Sequence, residues 1–439
     1  LLASLFPGLY PETASPDNIY STSVKGMDIE IIQDPLLGYI HAELIIFYRN
    51  KAINPAIPYL TLFNIFDRDL LPEESGLLAD LAKLGNTYTV CHRPDYLVLK
   101  IDFLPERLGT FLQFLKEVFS YKSFSLKRFN DSVQNYRTYF KKKEHWAKLA
   151  ARQVVYSSFF PGHLLGNTLI SPPSIQKINL AEIRSFYQET YTPANSLLIM
   201  RGNMEPAVAA GGITRTLLAF KNHARQEPPR EKLPAGNRDE IVIYHVDNAT
   251  GLEIFWFLAI PPLSHEDHLA ARVMNDAFFG HHIGFLSHLL LAHGIRTSKI
   301  ETEVFNHREV SVICNALKLD YNDLERFLVL SDQEMRKLKT SGISRKDYLN
   351  AKNYFYGQLK VKSARVEMEV EEARDHFLFG YKSGRGYTSI PPSLYQEVTL
   401  ENLNRVTGEQ VRSMIVIVGN ADIIMKNITT LKPVVIKLF

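Results

Sequence analysis

Alternation with a period of two marks the strands of this chain. Leu97, Leu99, Ile101 and Phe103 point one way while Lys100 and Asp102 point the other, which predicts a strand over Tyr96–Phe103. The apolar runs Ile29–Ile32 and Ala42–Tyr48 predict two more. Beyond Phe103 the period changes. Leu108, Phe111 and Leu112 stand at i, i+3 and i+4, the buried stripe of a helix near Leu104–Phe119. Further helices are expected over Leu126–Phe140, from His145 to Tyr156 and from Leu180 to Thr190.

The pattern then repeats. Pro172-Pro173-Ser174-Ile175 recurs as Pro391-Pro392-Ser393-Leu394, 219 positions later. Each copy leads into a helical pattern and then a β-rich run ending in Gly-Asn, at Gly202-Asn203 and at Gly419-Asn420. Leu108, Phe111 and Leu112 likewise reappear as Leu324, Phe327 and Leu328, offset by 216. Two matches in the same order imply two homologous halves. The join, Lys221 to Asp239, carries Pro228, Pro229, Pro234 and Gly236 among charged residues and reads as a linker. The expected division is therefore 1–220, a 221–239 linker, and 240–439. Each half runs strands, helices, closing strand. The expected class is α+β, with helices packed on a largely antiparallel sheet.

Composition narrows the function. The 439 residues are 46% hydrophobic and 22% charged, an ordinary globular balance. A net charge of +3 is too small for bulk-charge binding of polyanions. Cys91 and Cys314 allow at most one disulfide and exclude a multi-cysteine zinc site. No apolar run reaches the ~18 residues that span a bilayer. The chain begins at Leu1 without Met, so the native start is expected to be missing and the compartment stays open.

Two stretches carry a family resemblance. The first is Phe160-Pro161-Gly162-His163-Leu164-Leu165-Gly166, followed by Tyr191-Thr192-Pro193-Ala194-Asn195 and Gly202. The second is Phe279-Gly280-His281-His282-Ile283-Gly284-Phe285-Leu286-Ser287, similar to a degenerate Gly-rich loop. With the duplication, these resemble the pitrilysin/insulinase (M16-type) zinc peptidase superfamily, and most of all its mitochondrial processing peptidase-like subfamily. The resemblance covers nearly the whole chain.

Enzymes of that family hold zinc with His-x-x-Glu-His on a helix. The two imidazoles lie one turn apart, and the Glu between them acts as base on the zinc-bound water. A later helix supplies a Glu as third ligand. Neither this motif nor His-x-x-His-Glu occurs here. The resemblance places Thr61, Asn64 and Ile65 at the His, Glu and His positions, and Gln134 or Asn135 at the third ligand. The expectation is therefore no catalytic residue, no metal ligand and no zinc. A substrate-binding Arg and Tyr of the second half fall on Leu291 and Thr297, with Arg296 one residue away. Thr89, Val90, Cys91 and His92 match the edge strand that pairs with peptide in active members.

Other clusters read as structural. In His265-Glu266-Asp267-His268, Ser264 is a plausible N-cap with acidic residues in the first turn. His281, His282, His288 and His293 form a patch suited to adventitious surface metal. Cys91 and His92 are adjacent on a strand, point to opposite faces and cannot form a dyad. The basic–aromatic stretch 136–148 offers an anion- or nucleic-acid-binding alternative. The resemblance instead implies a non-catalytic subunit that pairs with an active M16-type peptidase and binds unfolded peptide. A homodimeric peptide-binding or structural protein is its alternative. Nucleic acid is not favoured as a partner.

Overall fold

The computed structural model describes residues 19–47, 54–66, 84, 88–92, 96–141, 146–167, 172–221, 240–247, 249, 251–280, 284–363, 370–371, 374–375, 378–379, 397–408, 412–428 and 434–437. The expected linker apart from Lys221, the second Pro-Pro-Ser copy, His281 and His282 lie outside these residues.

The chain opens with β1 (Ile19–Val24), β2 (Met27–Gln33) and β3 (Ile40–Phe47). Then come α1 (Ala56–Phe66), β4 (Tyr88–His92), β5 (Tyr96–Phe103), α2 (Leu108–Ser120), α3 (Leu126–Lys141) and α4 (Trp146–Phe159). The first half closes with α5 (Pro172–Gln176), α6 (Leu180–Thr190), β6 (Ser196–Gly202) and α7 (Pro206–Leu217). Asn179 and Glu182 cap α6 reciprocally, each side chain accepting from the other's backbone N–H.

The second half repeats this plan: β7 (Glu240–His245), β8 (Leu252–Ile260), α8 (His268–Phe279), α9 (Phe285–Ala292), β9 (Glu301–Asn306) and β10 (Ser311–Leu319). It ends with α10 (Leu324–Ser341), α11 (Arg345–Ser363), α12 (Leu400–Gly408), β11 (Arg412–Gly419), α13 (Ala421–Lys426) and β12 (Val434–Lys437).

The two sheets are ordered β1-β2-β6-β3-β5-β4 and β12-β7-β11-β8-β10-β9. Over five of the six strands this is one topology used twice. β2 runs parallel to β6 as β7 does to β11, and the three following pairings are antiparallel in both sheets. The sheets differ at one edge. β1 returns on β2 as an antiparallel hairpin, while β12 joins β7 in parallel. The fold is α+β, as the element order implied.

The chain forms two compact units whose makeup does not follow the halves of the sequence. The first holds 1–142, 168–229 and 364–371; the second holds 143–167, 230–363 and 372–439. Thus α4, from the first half, belongs to the second unit. Its Ala150, Ala151, Val154, Val155 and Phe159 share a core with Val242, Phe255, Phe257, Cys314 and Val416 of the second sheet. The sequence predicts a helix from His145 to Tyr156, but not the sheet on which it packs. The first unit's core lies between the opposite sheet face and α1, α2, α6 and α7, with Phe103 stacked on Phe111 at 4.7 Å between centroids.

Candidate functional site

Thr61, Asn64 and Ile65 all lie on α1, the first helix after β3, and each is 0% exposed. Their side-chain donors are committed locally, while Asn64 Oδ1 is buried without a partner among the described residues. Thr61 Oγ1 donates to the Ile57 carbonyl at 2.8 Å. Asn64 Nδ2 donates to the Leu60 carbonyl at 3.1 Å and reaches Ser132 Oγ at 3.4 Å. Tyr121 donates its hydroxyl proton to the Asn64 carbonyl at 3.1 Å, and Arg128 in turn donates to the Tyr121 hydroxyl. The α3 side chain placed beside Asn64 is Ser132, whereas Gln134 and Asn135 are exposed. A zinc ion needs imidazole, thiolate or carboxylate donors and an open coordination position. Thr61, Asn64, Ile65 and Ser132 do not fit that demand. No group of three His, Cys, Asp or Glu among the described residues could hold a metal.

β4 is the edge strand of the first sheet, paired only with β5 in the sheet order. Tyr88 and Val90 pack on the core, so Thr89 and Cys91 take the other face. Thr89 is exposed, and Cys91 is a half-buried free thiol. Of His92 only the backbone is described.

That other face carries a buried polar cluster that motif reasoning missed. One cross-strand row runs Ser21, Glu30, Ile199, Glu43, Lys100, Thr89. The next runs Ile32, Arg201, His41, Asp102. His41 Nδ1 donates to Asp102 Oδ1 at 2.6 Å, and its Nε2 lies 3.7 Å from Glu43 Oε1. Lys100 Nζ sits 3.1 Å from Glu43 Oε1 and also pairs with Glu371. Burial alone would lower the His41 pKa, but Asp102 and then Glu43 outweigh it and raise the imidazole to about 9. At 3.7 Å Glu43 acts more by charge than by a hydrogen bond. Glu30 is 2% exposed and its carboxylate has no partner among the described residues. Burial raises it to about 8, so it is largely protonated at neutral pH. The alternation of Lys100 and Asp102 was the visible signal. His41 and Glu43 repeat it on β3 at the same spacing.

In the second unit, Leu291 is exposed on α9 and Thr297 forms an isolated bridge to Leu319. Arg296 lines a shallow cavity of about 400 Å³ with Glu253, Lys318 and Asp320. The 265–268 cluster is structural in a different way from that expected. The helix begins at His268, so Ser264 is not its cap and Glu266 is not in its first turn. Asp267 stands at the N-cap without a side-chain cap bond and pairs with Arg405. His268 Nδ1 hydrogen-bonds the Pro261 carbonyl at 2.9 Å. Among the described residues, no helix is long and apolar enough to cross a membrane.

Sequence and structure comparisons agree on the class. Residues 177–355 match the Peptidase M16 inactive domain. A protease from Helicobacter pylori superimposes with a TM-score of 0.77 at 14% identity, over 91% of this chain and 99% of its own. A peptidase M16 inactive domain from Pseudomonas fluorescens gives 0.70 at 16% identity, over 95% and 100%. A chain of Complex III2 from Candida albicans gives 0.73 at 14%, over 93% and 96%. No curated protein matches the sequence. Residues 177–355 thus resemble an M16 inactive domain, the chain as a whole has the fold of these structures, and its sequence contains no His-x-x-Glu-His.

Proposed function

We propose that this chain is a non-catalytic subunit, similar to those of the mitochondrial processing peptidase group. It would bind no zinc itself and would pair with an active, motif-bearing peptidase to complete a chamber for unfolded peptide. One observation supports the reading: the duplicated scaffold is kept over five strands of each sheet, while Thr61, Asn64 and Ile65, which the resemblance assigns to the motif, are each 0% exposed on α1. A protein selected for its own hydrolysis would not keep the frame and fill the metal position with an isoleucine. The match to a chain of Complex III2 supports a place within a larger assembly. The edge strand β4 supports peptide pairing by strand addition.

The test is zinc content and peptide cleavage, for the chain alone and after mixing with an M16 peptidase encoded beside it. The expected result is below ~0.1 zinc per chain, no cleavage alone, and cleavage by the pair exceeding that of the peptidase alone. About one zinc per chain with chelator-sensitive cleavage by the lone chain would overturn the reading. A stable self-dimer that binds unfolded peptide and ignores the peptidase would favour the homodimeric alternative.

A further inference from the structure

The duplication gives surfaces of one unit counterparts in the other, and among the described residues one counterpart is left open. In the first unit α7 packs on α2 and the neighbouring strands. Its Gly212 lies so close to Leu112 that an added Cβ would stand 2.7 Å from Leu112 Cδ1. Just past α7, Phe220 packs edge-on against Phe119 at 5.8 Å. Ile29, Leu198 and Phe119 beneath this segment are buried, at 2%, 0% and 7% exposure.

The same positions in the second unit are Leu328 for Leu112, Met335 for Phe119, Ile241 for Ile29 and Ile415 for Leu198. Here the covering helix is cut short. α13 spans only Ala421–Lys426, and after Ile428 the next described residues are the edge strand β12. Ile241, Met335 and Ile415 are consequently only half-buried. They line a groove of about 430 Å³ with Trp256 and Leu328 at its floor. The Trp256 indole N–H is buried with no hydrogen-bond partner among the described residues. Asp332 and Arg336, paired at 2.9 Å, stand with Lys339 and Glu240 along the groove.

We propose that this groove seats an amphipathic helix of a partner protein. The helix would place a small residue against Leu328 and an apolar ring against Met335. The first unit shows the geometry, because its own α7 and Phe220 occupy the equivalent surface in that way. A helix with polar residues on its outer face would also meet the charged rim formed by Asp332, Arg336 and Lys339.

The probe is a fluorescein-labelled peptide with the sequence of residues 205–221, which already carries the matching face. It is titrated against the full chain by fluorescence anisotropy, with a scrambled peptide as control. Saturable binding of the native order alone is expected. Met335→Glu should weaken it by at least about tenfold and Met335→Ala by roughly threefold, as for one anchor residue of a small interface. Both variants should melt like the parent, since Met335 is half-buried. Absence of saturable binding to the parent would overturn the proposal, as would equal binding to both variants. So would a self-dimer that Met335→Glu dissociates, because the groove would then belong to a second copy. The peptide carries no peptidase, so this outcome is independent of the pairing proposed above.

Discussion

The two sheets share a topology and differ in what they bury on one face. In the first, the row across the strands reads Ser21, Glu30, Ile199, Glu43, Lys100, Thr89. In the second, the equivalent row reads Val434, Val242, Val416, Phe255, Ala316, Glu301. His41 and Asp102 find their counterparts in Glu253 and Lys318, an ion pair of reversed order at 3.1 Å. Backbone hydrogen bonding therefore specifies this sheet without specifying which chemistry covers it. The second sheet's face is closed by the apolar side of α4. The first sheet's face is held by charges that must satisfy one another, with Glu371 completing the set. Apolar faces stabilise by area alone, whereas buried charges contribute only while every partner is in place.

The largest effect is expected from importing the first face into the second. Phe255→Glu places a carboxylate where α4 offers only apolar side chains, and should cost about 4 kcal/mol or more in denaturant unfolding. Cys314 reports the same event. Burial pushes its thiol up to about 12, so it should resist alkylation in the parent and react readily in the variant. The converse change tests the charged face. Glu43→Leu removes the buried carboxylate that lies between Lys100 and His41 and should cost roughly 3 kcal/mol, while Glu43→Leu with Lys100→Met should recover at least about 1 kcal/mol of it. Equal losses in the single and double variants would show that the charges do not act as a set.

A third contrast is pH. The Glu30 carboxyl, 4.5 when free and about 8 in the fold, is protonated in the native state, so it loses stability as pH rises between those values. His41, 6.5 when free and about 9 in the fold, gives stability fully present below 6.5 and lost as pH climbs through about 9. Both act in the same direction, so the first unit should weaken between pH 5 and pH 9. Glu30→Gln should flatten that slope and gain about 1–3 kcal/mol at pH 9, read from unfolding curves at each pH. The smallest effect belongs to the exposed counterpart of the buried pair. Lys318→Ala should change stability by less than about 0.5 kcal/mol, because Lys318 is 73% exposed.

Much of the scaffold was legible in the sequence because its signals are local. The Gly-Asn pairs after Gly202 and Gly419 close equivalent strands, and the i, i+3, i+4 stripes of Leu108 and Leu324 open equivalent helices. The absence of a metal motif was equally plain, since ligand identity is a property of residues. What remained hidden was non-local. The helix from His145 to Tyr156 was expected, but not the sheet that it covers. Glu30 sits on β2, His41 and Glu43 on β3, and Lys100 and Asp102 on β5; these strands meet only through register, so no short sequence window holds the whole cluster. The Ser264 cap failed for a related reason: Arg405, far along the chain, takes Asp267 and sets where the helix begins.

The placement of α4 also fixes an order of events at the ribosome. This helix is synthesised well before β7, β8 and β11, the strands whose face it covers. At roughly 5–20 residues per second, its apolar side must wait for tens of seconds before its sheet exists. A nascent chain stalled anywhere between Asn167 and Arg412 would present that side to whatever is nearby. Chaperone capture should peak in that window, and supplying the second half in trans should relieve it.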